Sequence, residues 1–191
     1  MLNAQYQFKL IEAGCDEVGR GCIAGPVVAA AVILPPEYKN KFIIDSKKIS
    51  QKKRKELGQE IIDNAISWSI SEVSNNKIDE INILNASILA MHRALDKLKV
   101  RPEFIIVDGN KFRPYNKISH ECIIKGDNKF QNIAAASILA KNYRDDLMKK
   151  LSIKYNKYSW ESNFGYPTKK HRDSIKKNGT TKYHRKSFKL L

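Results

Sequence analysis

Residues 26–34, PVVAAAVIL, form an apolar run without a charge or a hydroxyl. A half-exposed strand would alternate and a surface helix would carry a polar residue every turn, so such a run reads as a strand covered on both faces. The expected architecture is a layered α/β fold with this strand at its centre. Four shorter strand candidates surround it. Residues 10–15 end on Asp16 and Glu17, followed by the turn Gly19-Arg20-Gly21, while residues 67–73 alternate Ser with Trp68 and Ile70 and read as half exposed. Residues 104–107 close on Asp108-Gly109, and residues 121–125 on Gly126-Asp127.

Helical periodicity fills the intervals. Ser50 can cap a helix reaching residue 65, with Leu57 and Ile61 inward and Lys52, Lys53, Arg54 and Lys55 solvated. Ile81, Leu84, Ile88, Met91, Leu95 and Leu98 predict one long amphipathic helix ending before Pro102. A helix over about residues 130–151 carries Ala134-Ala135-Ala136-Ser137, small enough for close packing against the sheet. Beyond residue 151 the chain is rich in Lys, Tyr and His, with one more helix over residues 168–177. With no repeat and no second core, the expectation is an α/β domain over residues 1–151 and a helical basic appendage over residues 152–191, part of the same compact unit.

Thirty-five Lys and Arg face twenty Asp and Glu, a formal charge of +15 that attracts polyanions, nucleic acid first. The basic residues are spread along the chain and not gathered on one aromatic-rich helix, which argues against a membrane surface. No apolar run approaches the ~20 residues of a membrane span and residues 1–10 lack a secretory signal, so a cytoplasmic protein is expected. Cys15, Cys22 and Cys122 lack metal-ligand spacing and read as buried free thiols. His92, His120, His171 and His184 read as structural or solvated, and Trp68 and Trp160 as packing residues.

In this basic chain Asp16, Glu17, Asp108 and Asp127 each fall at or just past a strand end, beside glycine. Neighbouring parallel strands gather functional groups outside their carboxyl ends, so distant carboxylates can converge there. Such a cluster repels itself unless protons or cations neutralise it, and its hard oxygen donors suit Mg²⁺ or Mn²⁺. Two ions ~4 Å apart could activate water and stabilise the leaving oxygen of a phosphodiester. Turn and helix-cap acids remain an equal alternative on spacing alone.

Residues 14–21 (GCDEVGRG), running on into residues 24–32 (AGPVVAAAV), closely resemble the N-terminal signature of ribonuclease HII. Similarity continues in family order through residues 45–48 (DSKK), 82–86 (NILNA), 107–110 (VDGN), 125–127 (KGD), 134–141 (AAASILAK), 143–145 (YRD), 165–168 (GYPT) and 184–188 (HRKSF). The departures are Cys22-Ile23, where the family usually has Pro-Leu, and Tyr183, where a smaller apolar residue is common. The first strand begins within about ten residues of Met1, so the extra N-terminal domain usual in the sister family, ribonuclease HIII, is not expected.

The resemblance implies a ribonuclease H-like fold, a mixed five-stranded sheet flanked by helices, with Asp16, Glu17, Asp108 and Asp127 as catalytic, metal-binding carboxylates. It implies cleavage of the RNA strand of RNA/DNA hybrids with Mn²⁺ or Mg²⁺, and nicking 5′ of a ribonucleotide embedded in duplex DNA, leaving 3′-hydroxyl and 5′-phosphate ends. Gly19 and Gly21 would let backbone atoms approach the minor groove, where the 2′-hydroxyl is displayed, and Arg20 would bridge to a phosphate. Tyr166 would stack on the sugar beside the scissile phosphate, and Lys47, Lys48 and Arg144 are candidate phosphate contacts. A monomer is expected. The rivals are a non-catalytic basic nucleic-acid-binding protein and a related ribonuclease H-like DNA nuclease.

Overall fold

The computed structural model describes residues 2–44, 46 and 49–191. Its five strands are β1 (Glu12–Val18), β2 (Val27–Ile33), β3 (Ser67–Val73), β4 (Phe104–Asp108) and β5 (Ser119–Ile123), in the sheet order β3-β2-β1-β4-β5. β2 is antiparallel to β1 and β3, whereas β1, β4 and β5 run parallel. All seven residues of β2 are buried, as its apolar run requires.

Both faces of the sheet are covered. The odd residues Ala13 and Cys15 pack with α2 (Asn75–Ile81) and α3 (Ile83–Asp96); β2's even-numbered residues pack with α1 (Gln51–Asn64) and α4 (Gln131–Lys154). α4 lies on β1 at Gly14, where an added Cβ would stand 2.3 Å from the Asn132 carbonyl carbon. Lacking a side chain there, β1 lets a helix backbone rest directly on it. Glu12, two residues earlier on the same face, is fully buried and accepts from Asn132 Nδ2 at 3.1 Å and from the amides of Tyr6 and Gln7.

Several sequence expectations shift. The single helix over the 81–98 stripe is two, because Asn82 adopts φ 66° and its side chain caps α3 through the Asn85 amide. Asparagine tolerates that left-handed backbone, and the break turns the chain without losing the apolar stripe. β3 alternates as expected but with its serines inward and Trp68 exposed. Ser69 donates to the Ala94 carbonyl and Ser67 accepts the Lys99 amide, so small hydroxyls let α3 close on the strand. Arg54, assigned to a wet helical face, is buried. β5 ends at Ile123, two residues earlier than expected, and α4 runs three residues further, to Lys154.

After α4 come the short helix α5 (Trp160–Asn163) and α6 (Lys169–Asn178), capped by Thr168. This tail shares a core with Ile23, Ala24 and Met148, so it packs on the loop after β1 and on the end of α4. His171 and His184 are buried in it, their ring nitrogens 3.2 Å apart. Burial, and for His184 also its neighbour His171, lowers both, His184 to about 4.

Two outcomes test this packing. Gly14→Ala should cost about 3 kcal/mol, the upper range for overpacking because the obstacle is backbone, and lower the melting temperature by roughly 6–12 °C. The histidines are lower in the folded than in the unfolded chain, which therefore binds more protons between about pH 6.5 and 4. Stability should fall as the pH drops through that window, and in thermal unfolding His184→Gln should show a shallower decline than wild type.

Candidate active site

Because β1 and β4 are parallel with Cys15 opposite Val107, Asp16 and Asp108 follow side by side, Asp108 as the last residue of β4 and Asp16 still within β1. β1 runs on to Val18, past the strand end expected at residue 15, because Asp16 and Glu17 remain paired with Ala30 and Ala29 of β2. Asp16 is on the α4 face and lines the same cleft as Ser137, and its Oδ1 accepts the Glu17 amide at 2.7 Å. Ser46 Oγ lies 2.9 Å from Ser137 Oγ, extending the chain of hydroxyls toward α1. Asp108 Oδ1 accepts the Gly126 amide at 2.7 Å, and Glu17 pairs with Arg20 at 3.0 Å.

Burial first, then the charges of Glu17 and Asp108, push Asp16 well above the usual carboxylate range. Glu17 is also raised by burial, against the pull of Arg20. Anionic Asp16 is thus disfavoured by its own neighbours, a situation that added positive charge would relieve. Among the described residues no three carboxylate, histidine or cysteine side chains lie close enough to enclose an ion as they stand. Their oxygens are turned instead to the Glu17 and Gly126 amides and to Arg20.

Asp16, Glu17 and Asp108 line a cleft of about 490 Å³ together with Gly19, Arg20, Gly21, Ser46, Arg54, Ser137, Lys141 and Tyr166. Asp127 is buried in a 3₁₀ turn past β5, accepts from Asn128 Nδ2 at 2.9 Å, and is not among the lining residues. Lys47 and Lys48 lie outside the described residues. A larger groove, about 850 Å³ between Lys157, Lys169, Lys170 and Lys177, shares no residue with this cleft.

Arg144 is placed differently from a surface phosphate contact. It is fully buried, and its guanidinium donates to Pro26 O, Phe164 O and Ala24 O at 2.7–3.0 Å. Gly19, at φ 95°, rests on it so closely that a Cβ would meet Nε at 2.3 Å. Arg185, also buried, donates to the carbonyls of Gly25 and Arg20 at 3.0 Å, and burial lowers it to about 10. Two buried cations thus back the loop after β1: Arg185 holds it through the Arg20 and Gly25 carbonyls, and Arg144 through those of Ala24 and Pro26 with Gly19 packed on its guanidinium. Arg144 also reaches Phe164, two residues before Tyr166.

Sequence reasoning missed Arg54, Ser137, Lys141 and Arg185 as parts of the site. Arg54 Nη2 meets Asp145 at 2.6 Å, and Asp145 also takes Lys141 Nζ at 2.6 Å. The signal for Arg54 was its helical phase, three and four residues before the buried Leu57 and Gly58. Arg185 stood in the HRKSF segment that resembles the family, but nothing in that segment showed that it reaches the loop after β1.

The architecture is that of the type 2 ribonucleases H. Ribonuclease H2 from Pyrococcus horikoshii OT3 superposes with a TM-score of 0.80 at 25% identity, covering 94% of each chain. In sequence, ribonuclease HII of Christiangramia forsetii is 62% identical over 191 residues, all of this chain and 96% of that protein. Ribonuclease HII of Parabacteroides distasonis is 58% identical over 95% of this chain and 91% of its own. The family model described as Ribonuclease HII matches residues 13–191, and the chain belongs to the ribonuclease HII family. It is an endoribonuclease with a ribonuclease H-like fold, in a family that depends on divalent metal. The non-catalytic binding-protein reading is thereby set aside.

The clamp is testable in Arg144→Lys, since one ammonium cannot reach three divergent carbonyls. Stability should fall by about 2 kcal/mol or more while the salt dependence of duplex binding stays as in wild type. A phosphate contact would show the reverse, a salt slope smaller by about one with stability intact.

Proposed function

We propose that this enzyme hydrolyses the RNA strand of RNA/DNA hybrids and nicks on the 5′ side of a ribonucleotide embedded in duplex DNA. The observation that carries this reading is the convergence of Asp16, Glu17 and Asp108 with the Gly19-Arg20-Gly21 turn and Tyr166 on a single cleft. Asp16, Glu17 and Asp108 would hold Mn²⁺ or Mg²⁺, with Asp127 as the fourth carboxylate. The donor set is hard oxygen only, and the raised Asp16 matches a site built to receive positive charge. When bound, divalent ions there neutralise the attacked phosphate and acidify a water.

The chain's own groups set the stage for that hydrolysis. The Glu17 amide orients Asp16, and the Gly126 amide orients Asp108. Water oxygen adds to phosphorus as the bond to the 3′-oxygen breaks; the departing oxygen takes a proton, leaving a 3′-hydroxyl and a 5′-phosphate. Arg20, half exposed, can exchange Glu17 for a substrate phosphate. The open backbone at Gly21, where a Cβ would touch nothing, leaves room for a minor-groove edge carrying the 2′-hydroxyl. Tyr166 faces the same cleft and would stack on the sugar at the junction of RNA with DNA, while the +15 charge draws the duplex in from solution. The substrate is bound by a monomer in the cytoplasm; no helix of the described residues is long and apolar enough to cross a membrane.

Asp16→Asn and Asp108→Asn should each lower cleavage by more than about 100-fold while retaining fold and duplex binding, because each removes a metal ligand and relieves repulsion. End-mapping on a labelled duplex with one ribonucleotide checks the products; substantial cleavage by either variant would remove the carboxylate assignment. Tyr166→Ala should lose roughly 10–100-fold at a single embedded ribonucleotide, the worth of one aromatic stack, far more than it loses in thermal stability. Tyr166→Phe should fall between Ala and wild type. Normal cutting by Tyr166→Ala would show that the ring does not read the ribonucleotide.

A further inference from the structure

Tyr166 is held by its backbone. Its amide donates to Asn163 O at 2.9 Å, and its carbonyl accepts from the Thr168 amide at 2.8 Å and lies 2.8 Å from His171 Nδ1. His171 is fully buried, and both of its ring nitrogens are engaged: Nε2 accepts from Trp160 Nε1 at 3.0 Å and stands 3.2 Å from His184 Nε2. The proton positions follow from the far end of this chain. His184 Nδ1 accepts the Thr181 amide at 2.8 Å, so neutral His184 carries its proton on Nε2 and donates to His171 Nε2. His171 then has its single proton on Nδ1, aimed at the Tyr166 carbonyl. Trp160 Nε1 can only donate, so His171 Nε2 is the unprotonated nitrogen, its one lone pair shared between Trp160 and His184.

We propose that His171 is a positioning residue for ribonucleotide recognition, its Nδ1–H holding the Tyr166 carbonyl and so fixing the direction in which the Tyr166 ring enters the cleft. Trp160 and His184 keep His171 in that tautomer. The inference rests on the role assigned to Tyr166 above. Fixing the backbone of an aromatic fixes its Cα–Cβ direction, and a ring that must meet one particular sugar depends on that aim. A continuous RNA strand offers 2′-hydroxyls at every step, so a loosened ring finds partners there that a single embedded ribonucleotide does not supply. Loss of His171 should therefore lower the ratio of kcat/KM on a single-ribonucleotide duplex to kcat/KM on a continuous RNA/DNA hybrid.

Two polar replacements separate positioning from mere support. In His171→Asn the side-chain amide nitrogen falls near the Nδ1 place and can still donate to the Tyr166 carbonyl; in His171→Gln it falls near Nε2 and cannot. The Asn variant should keep the substrate ratio within about twofold of wild type and the Gln variant should lose about tenfold, with both checked for fold by circular dichroism. In a Tyr166→Ala background the Gln replacement should leave the ratio unchanged, since the group it positions is gone. Equal ratios for Asn, Gln and wild type, or a further loss in the Tyr166→Ala background, overturn the inference. If Tyr166→Ala lowers the ratio but His171→Gln does not, the Tyr166 assignment stands and this one falls; if Tyr166→Ala has no effect on the ratio, both fall. Should the replacements unfold, the wild-type chain still decides. With chelator present, the His171 Nδ1–H proton resonance should move on adding a duplex with one ribonucleotide and stay in place with all-DNA duplex, and the same shift with both overturns the proposal.

Discussion

The cleft depends on how closely α4 lies on β1, a contact permitted by the missing side chain at Gly14. Once that helix is seated, six of its residues reach different parts of the site. Asn132 takes Glu12 and the Leu34 amide, Ser137 lines the cleft with Asp16, and Lys141 enters it. Asp145 collects Arg54, Arg144 grips the loop after β1, and Met148 enters the tail core. From residue 132 to residue 148 a helix advances about 24 Å, so one rigid rod spans the sheet, the carboxylates and the appendage. Backing of this kind is what holds reacting groups within the narrow tolerances catalysis demands.

The features visible in the sequence were those carried by pattern. The apolar run of β2 declared its double burial, and the placing of Asp16 and Asp108 at the ends of strand candidates anticipated their meeting, because adjacent parallel strands deliver their next residues to the same place. What stayed hidden depends on tertiary partners. A guanidinium has the same sequence signature whether it meets solvent, a phosphate or three carbonyls, so Arg144 and Arg185 could not be read as clamps. Arg54 sat in a run of lysines whose composition outweighed its helical phase. Asn82 broke a helix that periodicity alone would continue, because the apolar stripe resumes in register beyond it.

The two buried arginines also show how a strongly basic chain accommodates charge away from solvent. A guanidinium is more weakly hydrated than an ammonium, so its burial costs less, and neutral carbonyl oxygens can satisfy its N–H groups without a carboxylate. Each guanidinium nitrogen of Arg144 has such a carbonyl, whereas Arg185 Nη2 is buried without a partner among the described residues, and burial lowers the pKa of Arg185 to about 10. The arrangement places fixed positive charge directly behind the turn that carries Arg20, itself paired with Glu17. A polyanionic backbone approaching the cleft meets attraction from that loop and repulsion from the carboxylates, and added cations tip that balance toward engagement.

The tail, which composition alone would present as a basic arm for polyanions, has a second task. Its HRKSF segment is spent almost entirely on internal bonds: His184 in the imidazole pair, Arg185 on the Arg20 and Gly25 carbonyls, and the Lys186 and Ser187 amides on Asp79. Phe188 packs against the core. The loop after β1 and the turn bearing Tyr166 are therefore held by residues that follow them in the chain, Arg185 and His171. The carboxylates can be in place once α4 docks on β1, whereas the loop after β1 and the turn bearing Tyr166 gain these bonds only when residues 171–185 close on them.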